Sequence, residues 1–391
     1  IVMACGHAKR SQSRELLTGI LNRAGHQHGS GLHLLAAACV ETVSDMDADV
    51  RVRIDTMIRK VLVTQRGVRA DPQSLAGIGH RILRYFPENL DAMAWDSAIK
   101  TVRTAALTGS PEALPRLANY AKDRRMGVQN EVIECWQYFD PERYAAEVLS
   151  DARLLDGHLI VKAKRFLPHV NRLRHLTRLT VQLDETDVLD DLGSLSFLPH
   201  LELVYSHCAG AIDLTPLSEH PDLMTLTLRG ARYYTGARSL IRMPKLSSLM
   251  LRSAEWRSSI EFIGDLPSLR NLGLGGLREH SEFQPLGAAE WLQALYLWKC
   301  SGLATLDPIG HLRNLRLLYL DGCAIPDLAN QLGQYCPKVS SLFLHAAPLS
   351  DLSPLAGLPL RRLTLSDCPV EDLTPLSALD DLQFLNVSGC R

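Results

Sequence analysis

The chain has 391 residues, of which 46% are hydrophobic and 22% charged, and this length exceeds what one compact core usually supports. Two domains or an elongated array are therefore expected. Lys and Arg total 42 against 43 Asp and Glu. This balance argues against a polyanionic partner such as nucleic acid or an anionic membrane surface.

The cysteines and the hydropathy pattern favour a cytoplasmic protein. Nine cysteines are present, with no CxxC pair and no Cys and His spacing that would close a zinc site. The chain has no apolar run of about 18 residues that could span a bilayer, and no N-terminal signal pattern. It opens at Ile1 and stops at Arg391 directly after a strand pattern, so we expect a piece of a longer protein.

Residues 1–172 are predicted to form a helical, HEAT-like domain. Apolar side chains recur at three- and four-residue spacing, which is the helical period, in the segments 32–40, 54–63, 92–107 and 144–149. Glycine or proline breaks the pattern at 25–31, 71–72, 86–87, 108–111 and 140–141. Ser110 followed by Pro111 is a good helix start, and the segment 110–133 predicts one helix pair of the HEAT type.

Residues 173–391 carry an internal repeat with the pattern L-x-x-L-x-L-x-x-C/A. Its spacing of 21 to 25 residues is that of leucine-rich repeats. The copies that start at Leu176 and Leu201 are the weakest. The ten copies start at Leu176, Leu201, Leu223, Leu246, Leu269, Leu292, Leu315, Val339, Leu360 and Leu382.

The repeat predicts an α/β solenoid, in which a helical domain is followed by a leucine-rich-repeat horseshoe with a parallel concave sheet. The first, fourth and sixth positions enter the core, and the fifth and seventh face out of the sheet. One unit cannot bury its leucines alone, so stacked neighbours complete a continuous core. Segments of the type D-L-x-P-L, which begin at Asp213, Asp351 and Asp372, predict capped single helical turns on the other side.

The ninth position of the repeat holds a cysteine where leucine-rich repeats often carry asparagine. A metal or redox site is one interpretation, but all four cysteines fall at the same repeat position and no histidine alternates with them. We therefore expect buried spacers with a weak hydrogen-bond donor. They are Cys300, Cys323, Cys368 and Cys390.

The outward-facing positions provide the candidate binding site. The aromatic side chains gather in three adjacent copies, and exposed aromatic patches often mark binding hot spots. The rings could instead simply cover the strand surface. Arg229 and Arg252, one repeat apart, either grip an acidic group or are merely solvated. The predicted partner-binding residues are Tyr296, Trp298, Tyr319, Phe343, His345, Arg229 and Arg252, and the same positions of the Leu201 copy are Tyr205 and His207.

No catalytic motif is present. The sequence has no H-E-x-x-H, no G-x-S-x-G and no recognisable carboxylate pair. The glycine-rich segment 273–276 lies inside a repeat strand and not before a helix, so close packing against a neighbour is expected there instead of a phosphate cradle. We therefore expect no catalysis and no cofactor in this chain.

Several segments resemble the C-terminal half of actinobacterial NACHT-type STAND NTPases, relatives of the NOD-like receptors. In that family an ATP-hydrolysing module precedes these parts, and the repeats act as a ligand sensor. This chain departs from the full family, since it has no G-x-x-x-x-G-K-S/T phosphate loop; the spacing from Gly19 to Gly25 is one residue too long and is followed by His26. The segments that carry the resemblance are 1–8, 15–17, 33–42, 111–115, 138–142 and 144–146.

The resemblance implies the sensor half of a cytoplasmic signalling NTPase in bacterial antiphage defence, with a protein or other macromolecular ligand on the concave face. An ATPase module would lie upstream of Ile1. Two alternatives remain open. One is a free-standing adaptor for protein-protein interaction, and the other is the recognition part of an enzyme such as a repeat-containing ubiquitin ligase.

Overall fold

The computed structural model describes residues 1–24, 31–43, 46–59, 63–64, 67–68, 71–184, 195, 197–257 and 259–390. It divides into two compact units: Ile1–Gly157 with Pro168–Leu176, and His158–Leu167 with Thr177–Arg391. The first unit is helical and the second contains a parallel sheet. The predicted fold class, a helical N-terminal part followed by an α/β solenoid, is confirmed.

The helical unit is built from short helices and one antiparallel strand pair. The pair is β1 (Val63–Thr64) with β2 (Gly67–Val68). The helices are α1 (Val2–His7), α2 (Arg10–Ala24), α3 (Gly31–Thr42), α4 (Ala48–Met57), α5 (Pro72–Ala76), α6 (Trp95–Leu107), α7 (Leu114–Tyr120), α8 (Met126–Glu134) and α9 (Pro141–Tyr144).

Three of the predicted proline breaks are helix starts. Asp71 accepts a hydrogen bond from the Ser74 amide at 3.0 Å, and Asp140 accepts one from the Arg143 amide at 2.9 Å. Ser110 accepts one from the Glu112 amide at 3.3 Å, as predicted, and begins a 3₁₀ turn that leads into α7. Each acceptor satisfies an amide that the first helical turn leaves without a partner.

The predicted helix over 54–63 is wrong at its end. α4 stops at Met57, and Val63 lies in β1, where it pairs with Val68. A β-branched residue such as valine fits an extended backbone at least as well as a helix. The spacing of apolar residues alone therefore predicted a helix that was too long. Most of the predicted break at 25–31 lies outside the described residues.

The described residues of the repeat unit form one sheet of eleven parallel strands, which lie in sequence order. One strand more than the ten predicted repeats is present, because the sheet already begins at His158, ahead of residue 173. The strands are β3 (His158–Val161), β4 (Arg178–Leu183), β5 (His200–Asp213), β6 (Thr225–Thr235), β7 (Ser248–Ser253), β8 (Asn271–Gly275), β9 (Ala294–Trp298), β10 (Leu317–Asp321), β11 (Ser341–His345), β12 (Arg362–Ser366) and β13 (Phe384–Ser388).

The strand register reproduces the repeat. Leu318 pairs with Leu295 on one side and with Leu342 on the other, so residues at the fourth position form a continuous row. All three are fully buried. Stacked rows of this kind bury the leucines that a single repeat would leave in water.

The repeat copy at Leu201 is shifted by three residues from the prediction. Leu201 pairs with Leu226, and Leu203 pairs with Leu228, so these two residues take the fourth and sixth positions. The first position belongs to Leu198, which is also buried. Tyr205 is consequently not on the outward face of the sheet but buried at 5% exposure, and the side chain of His207 lies outside the described residues. The prediction was wrong because Leu198 and Leu201 both fit the first position of the repeat, and the sequence alone does not show which of them takes it.

The other side of the repeats consists mainly of 3₁₀ turns, as the D-L-x-P-L segments predict. Asp351 accepts a hydrogen bond from the Ser353 amide and Asp372 accepts one from the Thr374 amide, both at 2.8 Å. Hydrogen bonds from Ser353 and Thr374 also lower the pKa of the Asp351 and Asp372 carboxyl groups, respectively. Among the residues that the structure describes in this unit, an α-helix interrupts the turns at α10 (Leu328–Tyr335).

Of the four predicted cysteine spacers, Cys300, Cys323 and Cys368 are buried, as expected, whereas Cys390 is partly exposed. The Cys300 thiol lies 3.8 Å from the carbonyl oxygen of Leu274, one repeat earlier, and Cys323 stands at the same distance from Leu297. Cys368 repeats this contact with Leu344 at 3.8 Å. A row of weak thiol donors thus bonds the sixth-position carbonyl of the preceding repeat.

Candidate binding face of the repeat sheet

Strands β9, β10 and β11 bring the predicted aromatic residues side by side. Tyr319 pairs with Tyr296 on one neighbouring strand and with Phe343 on the other. Trp298 stands two residues beyond Tyr296, on the same face, because side chains alternate along a strand. Residues far apart in sequence therefore form one patch on the sheet face that was predicted to be concave.

The four rings form one connected cluster, in which Phe343 contacts Tyr319, and we call them the aromatic platform (Tyr296, Trp298, Tyr319 and Phe343). Tyr296 and Trp298 are stacked, with centroids 6.0 Å apart and an interplanar angle of 15°. Tyr319 lies 5.9 Å from Tyr296, 6.2 Å from Trp298 and 6.2 Å from Phe343. All four side chains remain partly exposed. Ring contacts of this kind fix the rotamers while leaving apolar area open to a partner.

The platform carries no charge of its own at neutral pH. Burial raises the pKa of Tyr296 above its ordinary value. Burial and the nearby Asp321 carboxylate raise the pKa of Tyr319, against a smaller opposing effect of Arg252. Both phenols therefore stay protonated and are available as hydrogen-bond donors.

Strand β8 carries a glycine, Gly273, over which the Trp298 ring of the platform lies. Gly273 pairs with Met250 on one side and Tyr296 on the other. A Cβ atom at Gly273 would stand 2.3 Å from the Met250 sulfur and 2.6 Å from the Trp298 ring, so the indole occupies the room that glycine leaves. The expected close packing against a neighbour is found, although the sequence did not show that the neighbour is part of the site.

The two predicted arginines are adjacent but have different partners. Arg229 pairs in register with Arg252 on the next strand. The Arg229 guanidinium makes an ion pair with Glu202 at 3.2 Å, whereas that of Arg252 lies 4.6 Å from the centre of the Trp298 ring. Arg252 thus belongs to the platform through a cation–π contact that spans β8, and Arg229 lies beside it.

His345 joins two carboxylates at the other edge of the platform. Its Nδ1 atom lies 3.0 Å from Asp321, and its Nε2 atom lies 3.1 Å from Asp367. Asp367 was not predicted, because it follows β12 at the eighth repeat position, which was not considered to face the site. The backbone there has φ 53°, a left-handed conformation that turns the chain away from the strand.

Two further findings concern metal binding and membrane-spanning helices. Within the described residues, no three His, Cys, Asp or Glu side chains are placed so that they could bind a metal ion. In the same part of the chain, no helix has the length and apolar character needed to cross a bilayer.

Comparisons with known proteins give structural likeness only. No protein-family description matches the chain, and no curated protein matches it. Solved leucine-rich-repeat proteins are similar in structure. Internalin C2 from Listeria monocytogenes is 23% identical, with 46% of this chain and 78% of that chain covered and a TM-score of 0.36. The protein LIC12759 of Leptospira interrogans is 18% identical, with 64% and 74% covered and a TM-score of 0.38.

A third similar structure is TLR13 in a complex with the single-stranded RNA ssRNA13. It is 18% identical, with 64% of this chain and 42% of that chain covered and a TM-score of 0.44. At these identities and scores the function of this chain has to be argued from its own residues.

Proposed function

We propose that this chain is a recognition module that binds a protein partner on the aromatic platform and catalyses no reaction. The carrying observation is the contact of four partly exposed rings on three adjacent strands. Tyrosine, tryptophan and arginine dominate binding hot spots, and the platform with Arg252 combines all three. Rings already held by one another lose little conformational entropy when a partner docks.

The test begins with a random peptide library displayed on phage and selected against the chain, followed by binding measurements with the selected peptides. The double variant Tyr296→Ala with Trp298→Ala should bind them about 30-fold more weakly or worse, because two hot-spot side chains are lost. Phe384→Ala is the matched control, since Phe384 is an exposed ring of the same sheet on β13, outside the platform. Its binding should be unchanged.

Thermal melts of both variants guard against a folding defect. Equal binding by the wild type and the double variant, at equal stability, would reject the platform as the site. Loss of binding in the Phe384→Ala control as well would show that the peptides recognise exposed rings in general.

We further propose that the module is the sensor half of a cytoplasmic NACHT-type signalling NTPase in bacterial defence. The support is the order of a helical unit and leucine-rich repeats, together with the resemblance of segments such as 33–42, which lie in α3. The module itself needs no cofactor in this role. The coding sequence upstream of Ile1 tests this: a phosphate loop followed by a Walker B aspartate supports it, and their absence leaves the adaptor function.

A further inference from the structure

The aromatic platform lies between groups of opposite charge. Along the seventh repeat position, Arg252 pairs with Gly275, Gly275 with Trp298, and Trp298 with Asp321. A cation therefore stands on one side of the rings and a carboxylate on the other. With a strand spacing of about 4.8 Å, these three steps separate the backbones of Arg252 and Asp321 by about 14 Å.

The charged groups on the two sides of the rings differ in how they are paired. Among the described residues no carboxylate lies within ion-pair distance of Arg252, whose guanidinium rests on the Trp298 ring. On the far side, Asp321 and Asp367 share one imidazole, that of His345.

This arrangement matches a partner with two opposite charges. Resting on the proposed function, we infer that the bound segment carries an acidic side chain that meets Arg252 and a basic side chain that meets Asp321 and Asp367. An apolar residue between them would cover the platform. In an extended chain, which rises about 3.3 Å per residue, a backbone separation of about 14 Å corresponds to roughly four residues.

The basic side chain gains from two kinds of contact. Tyr319 and Phe343 offer ring faces next to Asp321, so a guanidinium there can stack on a ring and bond the carboxylate. A single-stranded nucleic acid could also stack on the rings, but its phosphates would meet Asp321 and Asp367. The carboxylates therefore favour the protein segment.

The experiment uses three pools of synthetic nine-residue peptides with an aromatic residue at the centre and two fixed charges four residues apart. One pool has Glu and Arg in both orders, one has two Glu, and one has two Arg; the other positions are randomised over uncharged residues. A twelve-nucleotide single-stranded RNA is the fourth probe. Wild-type chain should bind the mixed pool about three- to tenfold tighter than either same-sign pool and tighter than the RNA.

Charge variants should change this preference in a defined way. Arg252→Glu should reverse the sign requirement at one edge, so the pool with two Arg becomes the tightest. Asp321→Lys should make the pool with two Glu the tightest. Arg252→Gln, which removes the charge but leaves a polar side chain, should abolish the discrimination between the mixed pool and the two-Arg pool without reversing it.

The outcomes separate this inference from the proposed function. If binding requires Tyr296 and Trp298 but the order of the pools is the same in wild type, Arg252→Glu and Asp321→Lys, the charge inference is overturned and the platform stands. If the RNA binds tighter than every peptide pool, the partner class is wrong. If no probe distinguishes the wild type from the Tyr296→Ala, Trp298→Ala variant, the proposed function and the inference fail together.

Discussion

Each of the two units of the chain is stabilised by a different kind of internal contact. In the repeat unit Leu295 meets Leu318 at the same repeat position, and this contact recurs from strand to strand. In the helical unit each polar contact occurs once: Arg125 makes an ion pair with Asp123 at 2.6 Å and donates to the carbonyl of Met93 at 2.7 Å. A repeated contact can be predicted from the period of the sequence, whereas a single contact requires the coordinates.

The largest expected effect tests the stacking of the repeats. Leu297→Ala should lower the free energy of unfolding by about 3 kcal/mol, because a fully buried leucine leaves a cavity between two strands. Leu385→Ala is the matched control. Leu385 occupies the fourth position of the last strand but is 43% exposed, so its loss should cost less than about 1 kcal/mol. Similar losses in urea-induced unfolding would contradict a core built from stacked rows.

The next effect tests the single contacts of the helical unit. Arg125→Met should cost about 2 kcal/mol at pH 7, since the Asp123 side chain, which is 7% exposed, would lose its ion-pair partner and keep only the backbone amide of residue 125. Arg174→Met is the control, because the pair of Arg174 with Asp151 is well exposed and should contribute under about 1 kcal/mol. Equal costs would show that the Arg125 contact is not structurally important.

The pair of Asp123 and Arg125 also gives a pH dependence. Burial alone would raise the pKa of Asp123, but hydrogen bonds and charge from Arg125 lower it overall. The folded pKa is thus below the unfolded value of about 3.9, so the stabilisation is present above that value and is lost as the pH falls through the folded pKa. In urea titrations, the stability difference between wild type and Arg125→Met should shrink below about pH 4; a constant difference would assign it to packing.

A smaller effect tests how glycine shapes the platform. Gly273→Ala should displace the Trp298 ring and cost about 1 kcal/mol, with binding of selected peptides reduced about tenfold. Gly275→Ala should be almost neutral, because a Cβ there has its nearest contact at 3.4 Å, an ordinary packing distance. If both variants bind as the wild type does, Trp298 does not need the space at Gly273.

The smallest effect tests the cysteine row. Cys368→Ala should cost about 1 kcal/mol or less, through the lost sulfur packing and one weak donor to Leu344. The loss should not depend on a reducing agent, since a buried spacer has no redox role. A loss of several kcal/mol, or one that appears only under oxidising conditions, would revive the redox interpretation of this row.

The sequence predicted the repeat unit almost residue by residue, because each position has one physical role. The rings of Tyr296, Tyr319 and Phe343 were placed together in this way. The prediction failed at Leu201, where two alignments of the repeat were possible. It also missed Asp367, which lies just after the strand and outside the repeat positions that face the site. The partners of Arg229 and Arg252 could not be predicted either, since they depend on which side chain reaches across a neighbouring strand.

The helical unit was predicted only at the level of its elements. The capping residue Ser110 was predicted because it acts locally, on an amide two residues away. Asp140, which caps α9, was predicted only as part of a break in the helical pattern. The ion pair of Arg103 with Glu131, at 2.6 Å, joins residues 28 positions apart on two helices, and no period in the sequence relates them.

Hydrogen–deuterium exchange with a selected peptide tests the central claim most directly. Binding should slow exchange in β9, β10 and β11, the strands that carry the aromatic platform, and leave the 3₁₀ turns and the helical unit unchanged. Protection confined to the turns or to the helices, with these three strands unaffected, would contradict the account.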